Sequence, residues 1–88
     1  MKKMLNTLYI TSENKYLSLD GENVVIKEEG TELGRMPLHN LEMIVTFSRV
    51  GASPALMGKC ADNNISIVFL TPSGLFLARV EGKTKGNV

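Results

Sequence analysis

Side chains able to do chemistry are few in this sequence, and they are scattered. His39, in the segment PLHNLE, is the single histidine, and Cys60 is the single cysteine. A transition-metal site needs several nitrogen, sulfur or carboxylate ligands converging on one point. One histidine, one cysteine and no spaced acidic pair on a helix do not supply that set. His39 reads as a turn residue bonding locally beside Asn40, and Cys60 as a small buried hydrophobe with no histidine near it to activate the thiol. Glu28, Glu29 and Glu32 surround a turn and read as solubilising charges. The Gly51-Ala52-Ser53 turn is more suggestive, because a helix N-terminus offers free N–H groups and the positive end of a dipole, and Arg49 lies just before it. No G-x-G-x-x-G pattern or Walker lysine accompanies the turn. Helix capping by Ser53 is therefore the simpler reading, with phosphate binding second. Arg79, Lys83 and Lys85 form either a basic strip or part of a solvated linker.

The elements that must position these residues are mostly strands. Residues 5–10 (LNTLYI) predict a first strand, and KYLSLDG alternates as a second. Asp20-Gly21-Glu22-Asn23 is hairpin punctuation, since glycine and asparagine tolerate positive φ. VVIKEE follows, then a turn at Glu29 and Gly30, then TELGRMPL, whose Pro37 demotes its end to an edge or a bend. EMIVTF alternates once more. In GASPALMGKCADNNISIVFL, Ser53 is a good N-cap and Pro54 sits at the first helical position. Leu56, Met57, Cys60 and Ala61 make an apolar stripe at helical spacing, and Asn63-Asn64 can end the helix in a left-handed conformation. Gly58, inside that helix, predicts a close approach to neighbouring backbone. ISIVFL reads as a buried central strand, and Thr71-Pro72-Ser73-Gly74 as a hairpin turn into LFLARVE. Strand, helix and strand over residues 42–70 predict a parallel pairing through a right-handed crossover. The fold class is α+β but mostly β: a small sheet or sandwich-like domain of about seven strands, with one helix between the late strands covering part of a sheet face.

Composition restricts the function classes. The chain has 88 residues, 43% of them hydrophobic, enough for one core and a single domain. Ten basic residues stand against nine acidic ones, for a net charge of +1. That balance predicts neither a polybasic nucleic-acid binder nor an acidic tail, so a DNA role requires a local patch or a larger assembly. A lone cysteine fits a reducing cytoplasm, the start MKKMLNTLYI is a poor signal sequence, and no segment approaches transmembrane length. The residues by themselves support a binding or assembly module.

The phrases YLSLDGENV, ELGRMPLHNLEMIV and GLFLARVEGKTKGNV, in this order with the helix between the last two, are more specific. They resemble the N-terminal β domain of CRISPR-associated protein one, the spacer-acquisition integrase and metal-dependent DNA endonuclease, in its I-C subtype form. The resemblance covers nearly the whole chain. It implies a β domain over residues 1–80 and the start of an interdomain linker over 81–88. In the family, a larger helical domain beyond that linker holds a metal-binding Glu, His and Asp. None of these maps onto this chain, so no catalytic or metal residue is expected here. Magnesium or manganese would belong to the full-length parent, and the 88 residues alone are expected to be inactive. The partners implied are a second copy in a homodimer, double-stranded or branched DNA, and CRISPR-associated protein two in the full complex, with no membrane. Because the helix and its preceding loop lie near bound DNA in the family, Arg49, Ser53 and Lys59 are expected DNA contacts, followed by Lys15 in the loop 12–15 and Arg79. Such contacts position DNA without reading its sequence. Two other readings stand beside this one: a stand-alone protein-interaction module, and a small phosphate or anion binder using the 51–53 turn.

Overall fold

A computed structural model describes residues 2–4 and 6–82. Lys83 and Lys85, and most of the expected linker over 81–88, lie outside the described residues. The strands are β1 (Lys2–Met4), β2 (Thr7–Ile10), β3 (Tyr16–Asp20), β4 (Asn23–Glu28) and β5 (Thr31–Pro37). A 3-10 turn (Leu38–Asn40) leads to β6 (Met43–Thr46), helix α1 (Pro54–Asp62), β7 (Ser66–Leu70) and β8 (Phe76–Val80). The mostly-β, one-helix class expected from the sequence is the one observed. The stretch read as a single strand from residue 5 is divided differently. Its ladder begins at Thr7, and β1 folds back antiparallel to pair Lys2 with Tyr9.

The strands form two sheets, ordered β1-β2-β6-β7-β8 and β3-β4-β5. In the five-stranded sheet β2, β6 and β7 run parallel. Parallel neighbours cannot be joined by a tight turn, so each pairing needs a crossover. Helix α1 is the crossover between β6 and β7, as the strand–helix–strand pattern predicted. The connection between β2 and β6 is the whole antiparallel three-stranded sheet, folded over the first. Its two hairpins turn where glycines supply positive φ, at Gly21 (φ 62) and at Glu29–Gly30 (φ 51 and 83).

Alternation then builds the core. Leu8, Ile10, Ile44 and Ile67 face inward from the larger sheet and Leu17, Val24 and Ile26 from the smaller, while Leu56 and Cys60 arrive from α1. The helix seals the side of the sandwich, touching β3, β7 and β8, which is the covering role its apolar stripe predicted. It starts at Ser53, whose Oγ accepts the Leu56 N–H at 3.2 Å. It ends with Asn64 in the left-handed region (φ 61). The close backbone approach expected at Gly58 does not occur, since a Cβ there would meet nothing within 4 Å. The close approach is at Gly82, where a Cβ would sit 2.5 Å from Asn64 Cα. The chain leaving β8 thus passes tightly over the end of α1. No helix among the described residues is long and apolar enough to cross a membrane.

Candidate nucleic-acid interface

The loop entering α1 is fixed by its own polar side chains. Thr46 and Ser48 are buried. Thr46 Oγ1 accepts the Ser48 N–H at 3.2 Å. Ser48 Oγ donates to the Glu13 carbonyl at 2.7 Å and accepts the Val50 N–H at 3.1 Å. The Arg49 N–H also reaches the Glu13 carbonyl, at 3.2 Å. Two residues on, Gly51 (φ 91) turns the chain so that its carbonyl accepts the Leu17 N–H at 3.1 Å, and the Ser53 N–H donates to the Leu17 carbonyl at 2.8 Å. The two loops singled out in the sequence, 12–15 and 48–53, are therefore tied together across β3. Buried hydroxyls with satisfied partners rigidify such a junction.

Arg49 is presented by this junction. It is exposed, and of the four cationic candidates it alone has no ion pair among the described residues. Lys15 turns inward, 18% exposed, to Glu28 at 2.7 Å. Lys59, in the last turn of α1, is held by Glu22 at 2.8 Å. Arg79 pairs with Glu81, and it stands opposite Val68 in register, one residue out of step with Val80, which packs against the core. So Arg49, Ser53 and the loop of Lys15 come together, whereas Lys59 and Arg79 lie elsewhere on the surface. Ser53 is committed to capping, and with its own N–H given to Leu17 the 51–53 turn keeps few donors for a phosphate. Beside Arg49 opens a shallow groove of about 390 Å³ with apolar walls from Val50, Met57, Phe69 and Leu77.

His39 is exposed in the 3-10 turn, and no group of three His, Cys, Asp or Glu that could hold a metal comes together among the described residues. Cys60 is fully buried, and burial pushes its thiol up to about 11, so it stays protonated and packs as a hydrophobe. Leu75, Phe76 and Leu77 form an exposed apolar run.

The fold is a two-sheet scaffold with one capped helix, and the arginine on its fastened loop has no ion pair among the described residues. Residues 8–88 match the family described as CRISPR associated protein Cas1, and the chain belongs to that family. A CRISPR-associated endonuclease Cas1 of Rhodospirillum rubrum is 50% identical over 88 residues, 100% of this chain and 26% of the relative. The chain thus spans about a quarter of that relative's length. Among solved structures, a TtCas1–DNA complex is similar with a TM-score of 0.70 at 14% identity, over 91% of this chain and 27% of the other. A partial Cas6-RT-Cas1–Cas2 complex is similar with a TM-score of 0.75 at 13% identity, over 88% and 23%. At these identities the structural likeness shows the fold.

Proposed function

We propose that this chain is the N-terminal dimerisation and DNA-positioning domain of a cytoplasmic CRISPR spacer-acquisition integrase, with Arg49 as its principal phosphate contact. The observation that carries the reading is the pairing state of the cations: Arg49 is held forward on a rigid loop with no ion pair among the described residues. Family membership supports it, as does the occurrence of this fold in a Cas1–DNA complex and in a Cas1–Cas2 assembly. Double-stranded or branched DNA, a second copy of the chain and Cas2 are the partners proposed. The divalent metal of such an endonuclease does not fit the described residues, which bring no ligand group together.

The chemistry of the site is electrostatic. A guanidinium presents a planar fork of donors suited to phosphate oxygens, and the N-terminus of α1 behind it, with no acidic residue in its first turn, adds positive potential. Ser53 contributes by fixing the helix start, while Lys15, Lys59 and Arg79 contribute only after exchanging their carboxylate partners for phosphate. Binding by the isolated domain is therefore weak and strongly salt-dependent. Anisotropy titrations of labelled duplex and branched DNA at two salt concentrations test this. Arg49→Ala lowers affinity without changing sequence preference and reduces the salt slope by about one, and Lys59→Ala does less. Affinity indifferent to Arg49, or tight binding at physiological salt, would refute the assignment.

A further inference from the structure

The amides of Ser48, Arg49 and Val50 lie outside any strand or helix, and two of the three are held by side-chain hydroxyls. The Ser48 N–H donates to Thr46 Oγ1 at 3.2 Å and the Val50 N–H to Ser48 Oγ at 3.1 Å, two hydroxyl turns in succession. Between them the Arg49 N–H reaches the Glu13 carbonyl at 3.2 Å. That carbonyl also accepts the Ser48 hydroxyl proton, at 2.7 Å. Ser48 is buried and uses its hydroxyl in both senses. As a donor it fastens the segment to the 12–15 loop, and as an acceptor it fixes the turn that carries Arg49. Downstream, Gly51 is in the left-handed region (φ 91), and its carbonyl on the Leu17 N–H is the next anchor. Without the Ser48 hydroxyl, the amides of Arg49 and Val50 keep a single bond, the one of 3.2 Å to Glu13.

We infer that Ser48 is a positioning residue for DNA binding: its hydroxyl holds the loop from which Arg49 meets a phosphate. The 12–15 loop then serves the site through the Glu13 carbonyl, while the Lys15 charge is turned inward onto Glu28. The inference rests on the DNA reading above and adds to it a residue that touches no ligand. Fixing a long side chain on a phosphate costs rotamer freedom, and a loop already ordered adds no further loss. Alanine at position 48 keeps the Cβ and removes both bonds, so it loosens the loop and leaves the guanidinium in place.

A double-mutant cycle on the 88-residue chain tests this, with labelled duplex DNA followed by anisotropy and amide relaxation measured on the free protein. Ser48→Ala lowers affinity about threefold, a scale on which residues of one network couple. In the Arg49→Ala background it lowers affinity no further. Thr46→Val, which takes one bond from the same loop, acts in the same way to a smaller extent. The salt slope of Ser48→Ala stays at the native value, because the guanidinium still displaces its counterions on binding, whereas Arg49→Ala reduces the slope by about one. Order parameters of the Arg49 and Val50 amides fall from about 0.85 towards about 0.6, and those of α1 hold. Affinity unchanged by Ser48→Ala, an equal fall with and without Arg49, or amides that stay rigid overturns the positioning role and leaves the Arg49 contact standing. Affinity indifferent to Arg49→Ala itself overturns the site, and this inference with it.

Discussion

β5 and β8 are each the last strand of a sheet, and each is interrupted at a leucine. The ladder of β5 passes from Gly34 to Glu32 and skips Leu33, as that of β8 skips Leu77, and both leucines are more than half exposed. The two edges differ in what surrounds the bulge. On β5 the Arg35 guanidinium forks onto Glu32 at 2.8 and 2.9 Å and reaches Asp20 at 3.0 Å, and Pro37 closes the strand. Charge and proline on an edge discourage pairing with another chain. Leu75, just before β8, and Phe76, Leu77 and Ala78 within it precede the first charge at Arg79. A bulge bends an edge in both cases, but only the side chains decide whether the edge is left to water or offered to a partner.

That comparison requires the two sheets to be one cooperative unit, and Leu17 is where this breaks most severely. Leu17 is fully buried between the sheets, and its backbone is bonded to both Gly51 and Ser53. Leu17→Ala is expected to cost about 2–5 kcal/mol, a large share of the stability of a domain this small. Hydrogen exchange should show the amides of β5 and β8 losing protection together. Loss confined to one sheet would mean the edges differ in local stability rather than in guarding.

A smaller change sharpens the contrast. Ser53→Ala removes the cap of α1 and should cost about 0.5–2 kcal/mol in denaturant melts. The helix touches β3, β7 and β8 and has no comparable contact with β5. Exchange should therefore rise on the β8 side and stay level along β5. An unchanged melt with a fall in DNA affinity would instead make Ser53 a direct ligand contact.

Much of this architecture was legible because the relevant signals are local. Ser53 and Pro54 announced the helix, Asn64 ended it, and Gly21 and Gly30 placed two hairpins. The parallel pairing of β6 with β7 followed from strand–helix–strand order. The rest depends on contacts far apart in sequence. Nothing in LNTLYI distinguishes a strand paired with β6 from one also paired with Lys2–Met4. Alternation cannot register the skipped Leu33 and Leu77. The cations could be named as candidates, but which were free depended on Glu22, from the β3–β4 turn, and Glu28, from β4, arriving to neutralise Lys59 and Lys15. Gly58 misled because glycine fits both a close approach and an open solvent face. The structure gives no reason for it at an exposed helical position.

The smallest expected effect concerns how β5 is guarded, by charge or by packing. The Arg35 fork holds the Glu32 carboxyl below the usual carboxylate range, and both groups are open to solvent, so the contribution to stability is slight. A carboxyl whose folded pKa is depressed stabilises fully above its unfolded pKa, and loses that contribution as pH falls through the folded value. The stability difference between the native chain and Arg35→Gln should then be present at neutral pH and fade in acid. Arg35 also stands opposite Val25, which is only 2% exposed although it faces away from the core cluster. The stem of a long basic side chain can shield such a residue without its charge. A difference that persists undiminished below the folded pKa of Glu32 would therefore assign the guard to packing. In that case Arg35→Met, which keeps the stem and removes the charge, should retain the stability that Arg35→Gln loses.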